Sequence, residues 1–205
     1  KGGELLGKAK LHAWLKDFGF GDRTGSGFPG EVGGILRSPE RWSRVALATH
    51  SFGQGMSVTG LQLAQGYSVL ANGGALMRPW LVREVLDEVG HVIDLGRPER
   101  IRRVLSETTA RPVTEMMVAV TAPDGTAPLA SVPGYRVAGK TGTAQKVDPV
   151  LKRYGKGMYV SSFAGFLPAD DPELVIVVVL DEPQGRHYYG GIVAGPSFRD
   201  VALAS

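Results

Sequence analysis

The sequence contains no cysteine, so disulfide bonds and thiolate metal sites are excluded. Its four histidines, His12, His50, His91 and His187, lack the i, i+4 spacing of a helical zinc site. We therefore expect neither a metal nor a cofactor. Apolar runs are also short. The longest, Leu174–Leu180, has the length of a strand, whereas a transmembrane helix needs about 20 apolar residues.

Charge of one sign is not in large excess: the formal net charge is +3. The densest basic group is Arg100, Arg102 and Arg103, which is more typical of a solvated turn than of a nucleic-acid surface. We expect no nucleic-acid partner. The 205 residues, 43% of them hydrophobic, are enough for one sizeable core. The chain starts at Lys1 without methionine, directly in helical sequence, as expected for a piece of a longer protein.

Helical patterns dominate residues 1–130. A helix is predicted over Lys1–Phe18, ended by Gly19 and Gly21. A glycine-rich loop follows over 22–36, and helical sequence returns at 41–48. The turn Ser51–Gly55 leads to Ser57 or Thr59, either of which can cap a helix over about 60–71.

Two further elements complete this half. Residues 79–94 predict a β-hairpin that turns at Gly90. A helix is predicted over Ser106–Val120 with Ser106 as its N-cap, although Pro112 weakens its first half.

The last third predicts three strands and a short helix. The strands are Gly134–Val147, Met158–Leu167 and Glu173–Glu182, and the helix spans 193–204. The connections are too short for parallel crossovers, so the sheet should be antiparallel. The third strand is continuously apolar, which predicts burial on both faces. The fold class expected is α+β.

One stretch of this sheet, residues 135–145, fits two unrelated chemistries. Residues 134–141 satisfy G-x-x-x-x-G-K-[ST], the nucleotide-binding P-loop, and the apolar run ending in Asp181 and Glu182 resembles a magnesium-holding strand. Lys140, Thr141 and Gly142 also form the K-T-G element of penicillin-binding proteins and β-lactamases.

The surrounding sequence favours K-T-G. A P-loop must follow a strand and open a helix, but Pro128 and Pro133 precede the motif and no helical period follows it. K-T-G instead needs an extended strand whose edge faces a peptide, and residues on both sides of it supply that. Asp181 and Glu182 are then an ordinary strand end.

The whole chain resembles the transpeptidase domain of class B penicillin-binding proteins, particularly the cell-division type. The stretches that carry the resemblance occur in the family's order: Phe18–Gly21, Phe28–Glu31, Ser51–Gly55 with Val58 and Thr59, Leu61–Ala64, Ala71–Gly74, Gly134–Ala144, Ser162–Phe166 and Tyr188–Gly191.

Two family motifs are missing. No serine is followed by lysine three residues later, and none by asparagine two residues later, so the family's Ser-x-x-Lys nucleophile and its Ser-x-Asn element are absent. By resemblance, residues 1–205 are the C-terminal part of a single transpeptidase domain. Residues 1–130 would be mainly helical, and 134–205 would hold the sheet. The family's five-stranded sheet would place the third strand here beside an upstream strand.

The resemblance also implies roles. Lys140 would shape a positive field, and the hydroxyls of Thr141 and Thr143, beside Gly142, would bind the substrate's terminal carboxylate. The backbone N–H of Thr143 would form half of an oxyanion hole. The weaker substrate-binding candidates are Ser51, Gln54 and Tyr189. For the first two, a purely structural turn is the favoured alternative, and for Tyr189 the favoured alternative is packing near the strand ends.

The function implied is D,D-transpeptidation in septal peptidoglycan synthesis, through a serine acyl-enzyme that β-lactams also form. The partners implied are peptidoglycan stem peptides, β-lactams, the upstream part of the domain, and cell-division and glycosyltransferase proteins. The implied location is the inner membrane, with the catalytic domain on the periplasmic side. The alternatives are a catalytically incompetent binding module of the same fold and a P-loop nucleotide binder.

Overall fold

The computed structural model describes residues 2–151 and 153–205. The chain begins with two helices, α1 (Gly2–Leu6) and α2 (Lys8–Asp17). The single helix predicted over this region is wrong because Gly7 has a φ of 78°, in the left-handed region that ends a helix. Lys1 lies outside the described residues. The predicted stop is confirmed, since Gly19 and Gly21 have φ values of 92° and 84°.

Helices α3 (Arg44–His50) and α4 (Gly60–Ala71) follow an irregular loop. Thr59 caps α4 through a reciprocal pair of hydrogen bonds. Its hydroxyl accepts from the Gln62 N–H at 3.1 Å, and its own N–H donates to the Gln62 side chain at 2.9 Å. The predicted cap and the bounds of α4 are confirmed.

Four short strands come next: β1 (Ala75–Arg78), β2 (Glu84–Leu86), β3 (Val92–Leu95) and β4 (Glu99–Arg103). The pair β2–β3 is the predicted hairpin, but the pair β1–β4 was not predicted. The basic group at residues 100–103 therefore lies in a strand, and the prediction that it forms a solvated turn is wrong. Arg102 donates to the carbonyls of Asp17 and Lys16 at 3.0 and 2.7 Å, so it satisfies the C-terminus of α2.

Helix α5 (Glu107–Val118) begins at the predicted N-cap, where the Ser106 hydroxyl accepts from the Thr109 N–H. The helix continues through Pro112, and a short 3₁₀ turn extends it to Thr121.

The main sheet contains β5 (Ala138–Val147), β6 (Tyr154–Leu167) and β7 (Leu174–Asp181), antiparallel and in the order β5–β6–β7. Three strands were predicted, but β5 starts four residues later and β6 four residues earlier. The expected end of β5 is correct. The register places Lys140 opposite Ala164 and Thr143 opposite Ser161.

Helices cover both faces of this sheet. On one face Phe163 packs edge-on against Phe198 of α7 (Gly195–Ala204), with ring centroids 4.7 Å apart. On the other face Ala138 and Phe166 pack against residues of α4 and α5. The helix predicted over 193–204 corresponds to α7, and a short helix that was not predicted, α6 (Gly190–Val193), precedes it.

The prediction that β7 is fully buried on both faces is wrong. Both of its faces contact helices, but its residues are half-buried, and Leu174 and Val179 stay 36% and 45% exposed. Its apolar sequence follows from contact with cores on both faces, while its outer edge has no strand partner within the described residues. Across residues 2–151 and 153–205, no helix combines the length and the apolar character required to cross a membrane.

Candidate active site

The Lys140–Thr143 segment lies within β5, at an edge of the main sheet. No helix follows the glycines, and Gly139 to Thr141 are regular strand residues paired with Phe163 to Gly165. A P-loop would require this segment to turn into a helix N-terminus. The P-loop interpretation is therefore wrong.

The backbone groups on the outer edge of β5 can be identified from one contact. The N–H and C=O of Gln145 both point away from β6, because they bond the side chain of Gln54 at 3.2 and 2.7 Å. In an antiparallel strand the residues whose backbone groups face outward alternate. The N–H and C=O groups of Thr143 and Thr141 therefore point to the same open edge.

The hydroxyl of Thr143 has a fixed orientation. Its Oγ1 accepts a hydrogen bond from the Gly190 N–H, at the start of α6, at 3.1 Å. Because the oxygen accepts there, the hydroxyl hydrogen is left to donate. Thr143 thus offers a backbone N–H and a hydroxyl hydrogen at one point on the edge, a pair suited to an oxyanion or a carboxylate.

Lys140 lies on the other face of β5, the face on which Ala138 packs against α4 and α5. Its side chain is exposed, and Nζ lies 3.1 Å from the Thr141 carbonyl and 3.2 Å from the Thr141 hydroxyl. An ammonium group and two hydroxyls therefore border one open strand edge. This arrangement suits an extended peptide with a negatively charged end.

The turn Ser51–Gly55 forms hydrogen bonds with this edge through Gln54. The Ser51 hydroxyl instead donates to the Leu47 carbonyl at 2.7 Å, which satisfies the end of α3. The structure thus brings Gln54 to β5 and directs Ser51 elsewhere.

Tyr189 is 55% exposed and belongs to a stack of three tyrosines. Tyr159 and Tyr188 have ring centroids 4.1 Å apart, and Tyr188 and Tyr189 4.6 Å apart. The hydrogen bond with Tyr189 raises the pKa of Tyr188 to about 12. Since Gly190 bonds Thr143, the stack lies at the same edge as the K-T-G segment.

Tyr159 and the Gly190 N–H also belong to this region, and neither was predicted from the sequence. Tyr159 faces Gln145 across β5 and β6, and the two side chains are 3.5 Å apart. The register of β6, once known, would have revealed Tyr159. The Gly190 contact depends on a loop conformation that no sequence period encodes.

Glycines allow the backbone to pack closely behind the site. A Cβ on Gly139 would overlap the ring of Phe163, and one on Gly165 would lie 2.6 Å from the Ala138 carbonyl oxygen. A Cβ on Gly190 would overlap the carbonyl oxygens of Ser162 and Gly142. These overlaps involve backbone or a fixed core ring, so the three positions require glycine.

The acidic end of β7 does not form a metal site. Lys146 Nζ lies 2.8 Å from a carboxylate oxygen of Asp181 and 2.7 Å from one of Glu182. The hydrogen bond with Asp181, followed by that with Glu182, raises the pKa of Lys146. Within residues 2–151 and 153–205, no three His, Asp or Glu side chains are placed to hold a metal ion.

Comparison with known proteins agrees with this arrangement. The family model for the penicillin-binding protein transpeptidase domain matches residues 3–203. Stage V sporulation protein D of Bacillus subtilis is 45% identical over 195 residues, which are 95% of this chain and 30% of that protein. The probable peptidoglycan D,D-transpeptidase PenA of Neisseria flavescens is 40% identical over 196 residues, 96% of this chain and 46% of that protein.

Solved structures give the same result. Penicillin-binding protein 3 of Mycobacterium tuberculosis, complexed with aztreonam, superposes with a TM-score of 0.87 at 36% identity, covering 96% of this chain and 45% of that one. The transpeptidase domain of Burkholderia pseudomallei penicillin-binding protein 3 gives a TM-score of 0.83 at 36% identity, covering 98% and 57%.

The strand-edge site and the fold define a transpeptidase-type domain. The chain belongs to the penicillin-binding protein transpeptidase domain family. It matches class B members of that family, and it spans between 30% and 46% of the lengths of these two curated relatives.

Proposed function

We propose that the protein containing this chain is a serine-type peptidoglycan D,D-transpeptidase that acts in cell-wall synthesis during division. The observation that carries the proposal is the open edge of β5, where the N–H and hydroxyl of Thr143 lie beside the hydroxyl of Thr141 and the ammonium of Lys140. The names of the relatives, which include peptidoglycan D,D-transpeptidases, support the reaction.

The substrate is a stem peptide ending in D-Ala-D-Ala. Its terminal carboxylate binds the hydroxyls of Thr141 and Thr143 and the charge of Lys140, and Gly142 lets it approach the backbone. The carbonyl of the scissile bond lies at the Thr143 N–H, which stabilises the negative charge that develops on its oxygen. Tyr189, at the same edge, is a candidate contact for the rest of the substrate.

The nucleophile comes from the upstream part of the domain, because no serine here has the Ser-x-x-Lys spacing. Its oxygen bonds the carbonyl carbon, the C–N bond between the two D-alanines breaks, and the terminal D-alanine leaves with a proton on its nitrogen. An amine on a neighbouring peptidoglycan strand then displaces the serine oxygen from the ester. The isolated chain is inactive for the same reason.

The partners proposed are peptidoglycan stem peptides, β-lactams, and cell-division and glycosyltransferase proteins. The relative complexed with aztreonam supports the second of these. The proposed location is the inner membrane, with the catalytic domain in the periplasm.

Fluorescent penicillin tests the proposal. The complete protein should give a covalent band on denaturing electrophoresis, and prior incubation with a D-Ala-D-Lac depsipeptide should slow its formation. A protein that gives no band and releases no D-lactate would instead be a binding module without the chemistry.

A further inference from the structure

Gln54 uses its side chain as a substitute for a neighbouring strand. Its Oε1 accepts from the Gln145 N–H at 3.2 Å, and its Nε2 donates to the Gln145 carbonyl at 2.7 Å. These are the two backbone groups that an added strand would use at this position. A side chain 91 residues away in the sequence thus occupies the edge of β5.

The turn that carries Gln54 is held by the core beneath it. The Gln54 N–H donates to the Thr49 carbonyl at 3.0 Å. The His50 ring is buried and stacks on Trp42, with centroids 3.9 Å apart. A Cβ on Gly55 would overlap this ring. Gln54 is therefore placed against β5 by a packed support, which distinguishes it from an exposed side chain that meets the strand by chance.

The consequence is a short binding edge. Backbone groups face outward at Thr141, Thr143 and Gln145, and those of Gln145 are already bonded. Before Thr141 the next outward residue is Gly139, which is buried. An incoming peptide can pair only with Thr141 and Thr143.

We propose that Gln54 is a positioning and specificity residue that ends the substrate edge of β5 just past Thr143. The inference rests on the proposed function. With the carboxylate at Thr141 and the reacting carbonyl at Thr143, the residue upstream of the D-alanines would run towards Gln145. Gln54 prevents this residue from pairing there. The site therefore recognises the terminal dipeptide, and the rest of the stem peptide forms no backbone hydrogen bonds with β5.

The test uses the complete protein and two depsipeptide donors ending in D-Ala-D-Lac, one with a single acyl group before the dipeptide and one with two further residues. D-Lactate release gives kcat and KM. In Gln54→Ala the freed backbone of Gln145 should pair with the longer donor. Its kcat/KM relative to the short donor should then rise by roughly tenfold, mainly through a lower KM, as expected for one hydrogen bond.

Three further measurements make the test decisive. Hydrogen–deuterium exchange at the Gln145 amide should become roughly tenfold faster in Gln54→Ala, the effect of losing one hydrogen bond. Gln54→Glu keeps the acceptor for that amide but loses the donor, so it should retain amide protection and show a smaller change in donor preference. Gln184→Ala is the control, because Gln184 is an exposed glutamine whose side chain donates to the nearby Glu182 carbonyl.

An unchanged donor ratio in a folded Gln54→Ala protein would overturn the inference, as would unchanged exchange at Gln145. If Gln54→Ala does not fold, the donor ratio of Gln54→Glu decides, and a ratio equal to that of the wild type would overturn the inference. A wild-type protein that neither releases D-lactate nor reacts with penicillin would refute the proposed function, and this inference with it. Exchange at Gln145 would still differ between the variants in that case, which separates the two failures.

Discussion

Replacing Lys140 by alanine should slow acylation, whereas replacing Thr59 by alanine should lower stability. The Lys140 ammonium is exposed, and within the described part of the chain its hydrogen bonds go to its neighbour Thr141. Its removal should change the free energy of unfolding by no more than about 0.5 kcal/mol, as for other surface substitutions. Thr59→Ala removes the hydroxyl that accepts from the Gln62 N–H and keeps the backbone N–H that donates to the Gln62 side chain. Loss of this cap should cost about 1 kcal/mol.

The effects on acylation should be the reverse. Lys140 borders the edge where the substrate's negative charge is proposed to lie, and loss of one such group typically slows the reaction by roughly a hundredfold or more. Thr59 contributes to the helix alone, so Thr59→Ala should stay within about threefold of the wild type, since a stability change of this size leaves a folded domain folded.

The assay is the second-order rate of acylation by fluorescent penicillin, measured on the complete protein beside urea unfolding of the same samples. Equal losses of acylation in the two variants would show that Lys140 is not in the active site. A Lys140→Ala protein that is markedly less stable than the wild type would show that Lys140 contributes to the stability of the fold.

Three further predictions concern the chain outside this pair. The isolated 205-residue chain should give no covalent band with fluorescent penicillin, because it has no Ser-x-x-Lys; a stoichiometric band would contradict this. It should also self-associate through the unpaired edge of Leu174–Leu180, and Val177→Lys, which places a charge in that edge, should reduce the association in sedimentation. A wild-type chain that stays monomeric at tens of micromolar, about the range in which exposed edges associate, would be the opposite result. Finally, the hydrogen bond from the Thr24 hydroxyl lowers the pKa of Glu31 from its ordinary value. The stability that Glu31 contributes is thus present above the unfolded-state pKa and lost as the pH falls through the lower folded-state pKa. Acid unfolding of Glu31→Gln should lack this component, and identical acid profiles would disprove it.

Local signals explain the parts of the fold that the sequence predicts well. Helix α4 was predicted with its observed bounds because Thr59 caps it and glycines at 73 and 74 end it. Strands β5 to β7 were predicted in number and direction because short connections leave only antiparallel pairing. These features depend on residues close together in the chain.

Features that depend on distant partners were missed. Strand β4 has a basic sequence with no apolar alternation, and it forms because β1 pairs with it and because Arg102 reaches the end of α2. For the site, the K-T-G segment could be located from the sequence, but the bond from Gly190 to Thr143 and that from Gln54 to Gln145 span 47 and 91 residues. Neither has a sequence period to indicate it.

The glycines behind the site also limit how the region can vary among mutants. At Gly139, Gly165 and Gly190 any side chain would meet backbone oxygens or the ring of Phe163. Gln145, by contrast, has an exposed side chain, and only its backbone holds the edge. Saturation mutagenesis of β5 and its neighbours should therefore recover folded variants that differ at exposed positions such as Gln145 and keep the three glycines. Substitutions here that change antibiotic susceptibility would be confined to such exposed positions.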